Sequence, residues 1–143
     1  MAYDLSRFHH AQKSAYETAL SEIRAGRKRS HWIWYIFPQI QGLGFSSTAQ
    51  YYAIEDLKEA RAYLQDPVLR DRLVEISNAL LALDSSDPSV VMGYPDDLKL
   101  RSSMTLFALA DPDCRVFQDV LDKYYDGKRD ERTVAIVSAK ENT

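Results

Sequence analysis

The densest set of groups able to do chemistry lies in residues 97–107, Asp-Leu-Lys-Leu-Arg-Ser-Ser-Met-Thr-Leu-Phe. Lys99 and Ser103 fall one helical turn apart. A lysine whose pKa is lowered by burial can take the proton of a neighbouring serine hydroxyl and make it a nucleophile. Asp97 is the nearest carboxylate to partner that lysine or to act as general acid or base. Lys99 and Arg101 together would hold an anionic group, and Ser102 and Thr105 add hydroxyls on the side shared with Leu98 and Leu109. The plainer reading of the same residues is a hydrogen-bonded network that only fixes helix packing.

A second concentration runs from Arg27 to Gln39. The basic loop Arg27-Lys28-Arg29 precedes Ser30, which reads as the cap of a run from His31 to Phe37 that ends at Pro38. If that run is a helix, its free N–H groups and the adjacent cations would attract a phosphate or carboxylate. Trp32 and Trp34 would offer stacking surfaces, and His31 a general acid or base. Against this, basic residues after a helix C-terminus are commonly a solvated turn. The third candidate is Gln12, which falls on the apolar stripe of the first predicted helix. A buried amide there is either a ligand-recognising group or a bridge to a neighbouring loop.

The site expected from these residues therefore has His31, Asp97, Lys99 and Ser103 as catalytic groups. Gln12, Arg27, Trp32, Gln39, Arg101, Ser102 and Thr105 are the expected ligand contacts. No metal site is expected: His9 and His10 are adjacent, so they point to different sides of a helix, and nothing around them has ligand spacing. No cofactor is expected either, since the chain has no phosphate loop, dinucleotide fingerprint or nucleophile elbow. Cys114 follows a cap with no histidine close in sequence.

These groups must be positioned by helices. Asp4 precedes a periodic stripe, Leu5, Phe8, Ala11, Ala15, Ala19 and Ile23, that stops at Gly26. Periodicity leaves 31–37 open between helix and buried strand, and 39–47 is a loop with Gly42 and Gly44. Helical signals resume at Ser47 or Thr48. The Asp-Pro steps at 66–67, 87–88 and 111–112 each precede an apolar segment and predict helix starts. Pro95-Asp96-Asp97 opens a helix to Ala110, and its apolar residues point in nearly every direction, so it should be central. Asp130 starts a last helix, with 133–137 also readable as strand and 140–143 as frayed. The expected fold is an all-α, compact single-domain array of about seven to nine helices, spanning 1–143.

Composition narrows the function classes. The 143 residues are 45% hydrophobic and 27% charged, with five glycines, five prolines and a net charge of −3. That balance supplies no attraction to nucleic acid or an anionic membrane, so neither partner is expected. A single cysteine forbids a disulfide within the chain and suits a reducing compartment. The start, Met1-Ala2-Tyr3-Asp4, lacks a signal-peptide pattern, and the longest apolar run is too short to span a bilayer, so a cytoplasmic location is expected.

The blocks Phe8-x-x-Ala11-Gln12, Gly26-Arg27-Lys28-x-x-His31-Trp32-x-Trp34-x-x-Phe37-Pro38-Gln39, Gly42-Leu43-Gly44 and 97–107 resemble the family called domain of unknown function 1810. The resemblance runs from about Asp4 to the last helix. It implies a compact all-helical fold, found mainly in small bacterial proteins, and helix rather than strand for 30–37. It implies no reaction. Two functions follow from the residues themselves: binding or hydrolysis of a nucleotide- or ADP-ribose-like anion, or a non-catalytic module in which the polar cluster only fixes packing.

Overall fold

Several helix starts in this chain are set by short polar side chains that accept from free backbone N–H groups. Ser46 accepts from Ala49, Asp56 from Glu59, Asp66 from Val68 and Leu69, and Asp87 from Ser89. Proline at the first helical position follows two of these caps, Asp66 and Asp87, where a missing N–H costs nothing. The computed structural model describes residues 3–141. Among them the helices are α1 (Ser6–Arg24), α2 (Ile33–Ile36), α3 (Ser47–Tyr52), α4 (Leu57–Gln65), α5 (Pro67–Ala82), α6 (Pro88–Met92), α7 (Asp96–Ala110), α8 (Val116–Tyr125) and α9 (Glu131–Glu141), with no strand. The fold is all-α, as its sequence predicts, and 133–137 is helical rather than extended. Residues 142–143, part of the stretch expected to fray, lie outside the described residues.

α7 is the hub. It packs against α2, α4, α6, α8 and α9, and every residue from Ser102 to Ala108 is buried. A helix surrounded on all sides cannot keep a polar face, and two of its three hydroxyls bond back along the helix. Ser102 Oγ donates to the Leu98 carbonyl at 3.1 Å and Thr105 Oγ1 to the Arg101 carbonyl at 2.8 Å. α1 lies against α5 and α2, and α5 against α4 and α8, closing the core around Phe8, Tyr63, Phe107 and Phe117. Among the described residues no helix is long and apolar enough to cross a membrane.

Two local expectations change. Ser30 does not cap the 31–37 run. Its Oγ donates to Glu22, on α1, at 2.5 Å, and the helix shrinks to the four residues of α2, with no side-chain cap. Asp111-Pro112 does not open α8 either. Those residues form a turn in which the Cys114 N–H donates to the Asp111 carbonyl, and α8 begins at Val116.

One tertiary pairing bears on the site. The loop after α2 meets the segment after α3 in an isolated parallel bridge, Ile40 with Ile54. The Ile54 N–H donates to the Gln39 carbonyl and the Gln41 N–H to the Ile54 carbonyl, both at 2.8 Å. Both isoleucines are buried, so the base of the intervening loop is held rigidly against the core.

Candidate functional site

The exposed end of α7 and the loop held by this bridge form the two walls of an open cleft of about 510 Å³. That volume lies within the range of small-molecule sites. One wall is Pro95, Leu98, Lys99 and Ser102 from the first half of α7; the other is Gln39 and Leu43 to Ser46. Trp34 of α2 forms part of the floor, while Asp130 and Arg132 close one end.

Three cations, Lys99, Arg101 and Arg132, line the cleft against one carboxylate, Asp130. They are not equally available. Arg101 is committed to architecture: its Nε donates to the Lys128 carbonyl at 2.9 Å and an Nη to the Arg129 carbonyl at 2.8 Å, tying α7 to the loop before α9. Asp130 accepts from Ser102 Oγ at 3.2 Å and from the N–H and Oγ1 of Thr133 at 3.0 and 2.5 Å, so it caps α9. Its own N–H donates to Thr105 Oγ1 at 2.9 Å. Lys99 is looser, with Nζ 3.5 Å from Asp96 Oδ1 and 5.3 Å from the centre of the Trp34 ring. Arg132 is exposed and has no hydrogen-bond or ion-pair partner among the described residues.

The apolar part of the lining is unusually open. Phe45 is 78% exposed and Leu98 49%. Leaving a phenyl ring in water forgoes about 1.5–3 kcal/mol of burial. Gly44 explains how the loop reaches this position. An added Cβ there would come within 2.7 Å of the Ala49 Cβ, so only glycine lets the loop lie this close to α3.

The cleft thus brings together Gln39, Lys99, Arg101 and Ser102 of the expected residues. Thr105 sits one layer below and holds the Asp130 N–H in place. The others lie elsewhere. Gln12 is buried between helices, donating to the Tyr35 carbonyl at 2.8 Å and to the Tyr63 hydroxyl at 2.9 Å, with Arg72 donating to its Oε1 at 3.4 Å. Arg27 and His31 are exposed and outside the cleft lining. Trp32 is buried, its indole N–H donating to Glu22 at 2.9 Å.

Asp97 turns away from Lys99. Its carboxylate accepts from Ser89 Oγ at 3.2 Å and from the Leu98 N–H at 2.9 Å, and it is Asp96, three residues before Lys99, that faces the lysine. The Asp97 carbonyl accepts from the Tyr125 hydroxyl at 2.5 Å. Burial, reinforced by the Asp97 carboxylate, pushes that hydroxyl well above its ordinary pKa, so it remains a donor. Ser103 is wholly enclosed and its Oγ has no hydrogen-bond partner.

Trp34, expected to offer a stacking surface, lines the cleft, while Phe45, Leu98 and Arg132 are cleft residues that the sequence did not assign to a site. Phe45 carried a signal: it is an aromatic between Gly44 and Ser46 with no periodic apolar neighbours, so no helix face exists to bury it. Arg132 carried none, because it reaches the cleft only through the docking of α9 on α7.

The chain matches no curated protein. It is similar to the conserved hypothetical protein Rv1873 from Mycobacterium tuberculosis, whose crystal structure superimposes with a TM-score of 0.93. The two are 47% identical over 95% of this chain and 97% of that one. The model of the family described as protein of unknown function DUF1810 matches residues 2–137, and the chain belongs to that family.

Proposed function

We propose that this protein binds a small anionic ligand carrying a flat ring, of nucleotide or ADP-ribose type, in the cleft between α7 and the 39–46 loop. The observation that carries the reading is the pairing of aromatic surface with available cations: exposed Phe45 and half-buried Trp34 beside Lys99 and Arg132. Ring stacking on aromatic side chains supplies about 1–3 kcal/mol per base, and the cations take the anionic end. The proposal is binding rather than hydrolysis. Of the expected catalytic groups only Lys99 lines the cleft, while His31, Asp97 and Ser103 lie outside it. A reducing, cytoplasmic setting in a bacterium suits both such a ligand and the lone Cys114.

A thermal-shift and calorimetric screen against ADP, ADP-ribose and sugar phosphates tests this. Ligand at 100 times its Kd adds about 2.7 kcal/mol of stability, which gives a saturable rise in Tm. The rise should vanish in the double variant Lys99→Ala/Arg132→Ala. A rise that survives in the double variant, or none with any of these ligands, refutes the reading. The alternative, a protein-interaction module, draws on the exposure of Tyr94 (80%) together with Phe45 and Leu98. It predicts no Tm response to any small anion.

A further inference from the structure

Behind the cleft lies a second, much smaller space. It is a recess of about 20 Å³ that shares Trp34, Gln39, Gly44 and Ala49 with the cleft, so the two adjoin. This volume takes a single water-sized group. Three glutamines are among the residues that line it: Gln39, Gln41 and Gln50. Two of them are occupied. Gln50 donates to the Phe45 carbonyl at 2.7 Å, and Gln41 accepts from Lys140 at 3.4 Å. The Gln39 side chain has no hydrogen-bond partner among the described residues, although its backbone is pinned by the 2.8 Å bond from the Ile54 N–H. Gln39 lines both cleft and recess, and an amide without an internal partner offers an NH2 donor group beside a carbonyl acceptor.

We infer that Gln39 is the specificity-determining residue of the cleft, reading the edge of a nucleobase whose exocyclic group enters the recess. The inference rests on the proposed binding of a nucleotide-like ligand and names what that ligand must carry: adjacent donor and acceptor atoms on the ring. An adenine edge meets this requirement, since an amide pairs with its 6-amino group and a ring nitrogen at once. Phe45 and Trp34 contact the ring, Lys99 and Arg132 the phosphates, and Gln39 the edge. A site that hydrogen-bonds an edge rejects an analogue lacking it, because its own polar atoms are then left unpaired.

Trp34 fluorescence follows binding of ADP, of the 5′-diphosphate of purine riboside, which lacks the 6-amino group, and of inorganic pyrophosphate. The wild-type protein should prefer ADP over the purine analogue by about ten- to a hundredfold, the worth of one bidentate pair. Gln39→Leu should weaken ADP to the level of the analogue and leave Tm unchanged, because the amide has no intramolecular bond to lose. Gln39→Glu keeps the acceptor for the 6-amino group and loses the donor to the ring nitrogen, so it should weaken ADP and the analogue alike and retain a preference for ADP. An unchanged preference for ADP in Gln39→Leu overturns the role of Gln39 and leaves the cleft reading standing. Pyrophosphate binding as tight as ADP overturns recognition of any ring. Failure of all three probes to bind the wild-type protein removes the cleft reading, and this inference with it.

Discussion

Trp32 and Trp34 are near neighbours in sequence, each with a lysine over its ring, yet they sit in opposite environments. Trp32 is 2% exposed, and its indole N–H is taken by Glu22. Lys28 stands 5.0 Å from its ring centre, itself buried and bonded to Asp96 Oδ2 at 2.7 Å and to the Ser30 carbonyl at 2.5 Å. Trp34 is half-buried on the cleft floor, with Lys99 5.3 Å from its ring centre and 3.5 Å from the other oxygen of the same Asp96. One aspartate thus serves a closed corner and an open one. The pairs differ in whether their polar tips are already satisfied. Residue type does not separate a structural cluster from a binding surface here; spare hydrogen-bonding capacity does.

The sharpest way to break the comparison is to delete each ring. Trp32→Ala should cost about 4 kcal/mol of folding stability, as for other large core truncations. Trp34→Ala should cost less, about 2 kcal/mol, since that ring is only partly buried. Urea unfolding of both variants decides it, and equal losses would mean that the two corners are equally structural.

Glu22 sets the next largest difference. Burial pushes its carboxyl up, but donation from Ser30 Oγ, the Arg29 N–H, the Trp32 indole and the Ser30 N–H reverses that and holds it down at about 2. Glu22→Ala leaves these donors without their acceptor and should cost about 2 kcal/mol. In the wild-type protein the unfolded chain takes up the Glu22 proton near pH 4.5, its ordinary value, and the folded one only near 2. The contribution of Glu22 is therefore fully present above pH 4.5 and is lost as the pH falls toward 2. Circular dichroism melts across that window should show a steeper Tm decline for the wild-type protein than for Glu22→Ala. Parallel curves would show that folding does not lower the Glu22 pKa.

The smallest expected effect sharpens the open corner. Lys99→Ala should change stability by less than about 1 kcal/mol, because its ion pair with Asp96 is long and partly exposed. A loss above 2 kcal/mol would place Lys99 with Lys28 among the structural cations.

The helices were legible because their signals are local. Asp66-Pro67, Asp87-Pro88 and the all-round apolar pattern of 97–107 each act within a few residues, and each formed what it predicts. The departures have other causes, a partner on another helix or the turn of the helix itself. Ser30 has the chemistry of a cap, but Glu22 on α1 takes its hydroxyl; Asp97 lies nearest Lys99 in the reading, but helical geometry turns Asp96 toward it. The cleft was half legible for the same reason. Lys99, Arg101, Ser102, Gln39 and Trp34 belong to runs noticeable in one dimension, whereas Arg132 joins them only through packing across α7.

The Ile40–Ile54 bridge carries one more consequence, for how such a fold can vary. By clamping both ends of the 41–53 segment, it separates the length of that segment from the placement of everything outside it. Residues inserted near 43–46 would add only a slowly growing closure cost, on the order of 0.6 kcal/mol per doubling of loop length. They would reshape the rim at Phe45 while Gln39, at the foot of the clamp, kept its position. The scaffold therefore separates a floor that cannot drift from a rim that can be lengthened and resculpted.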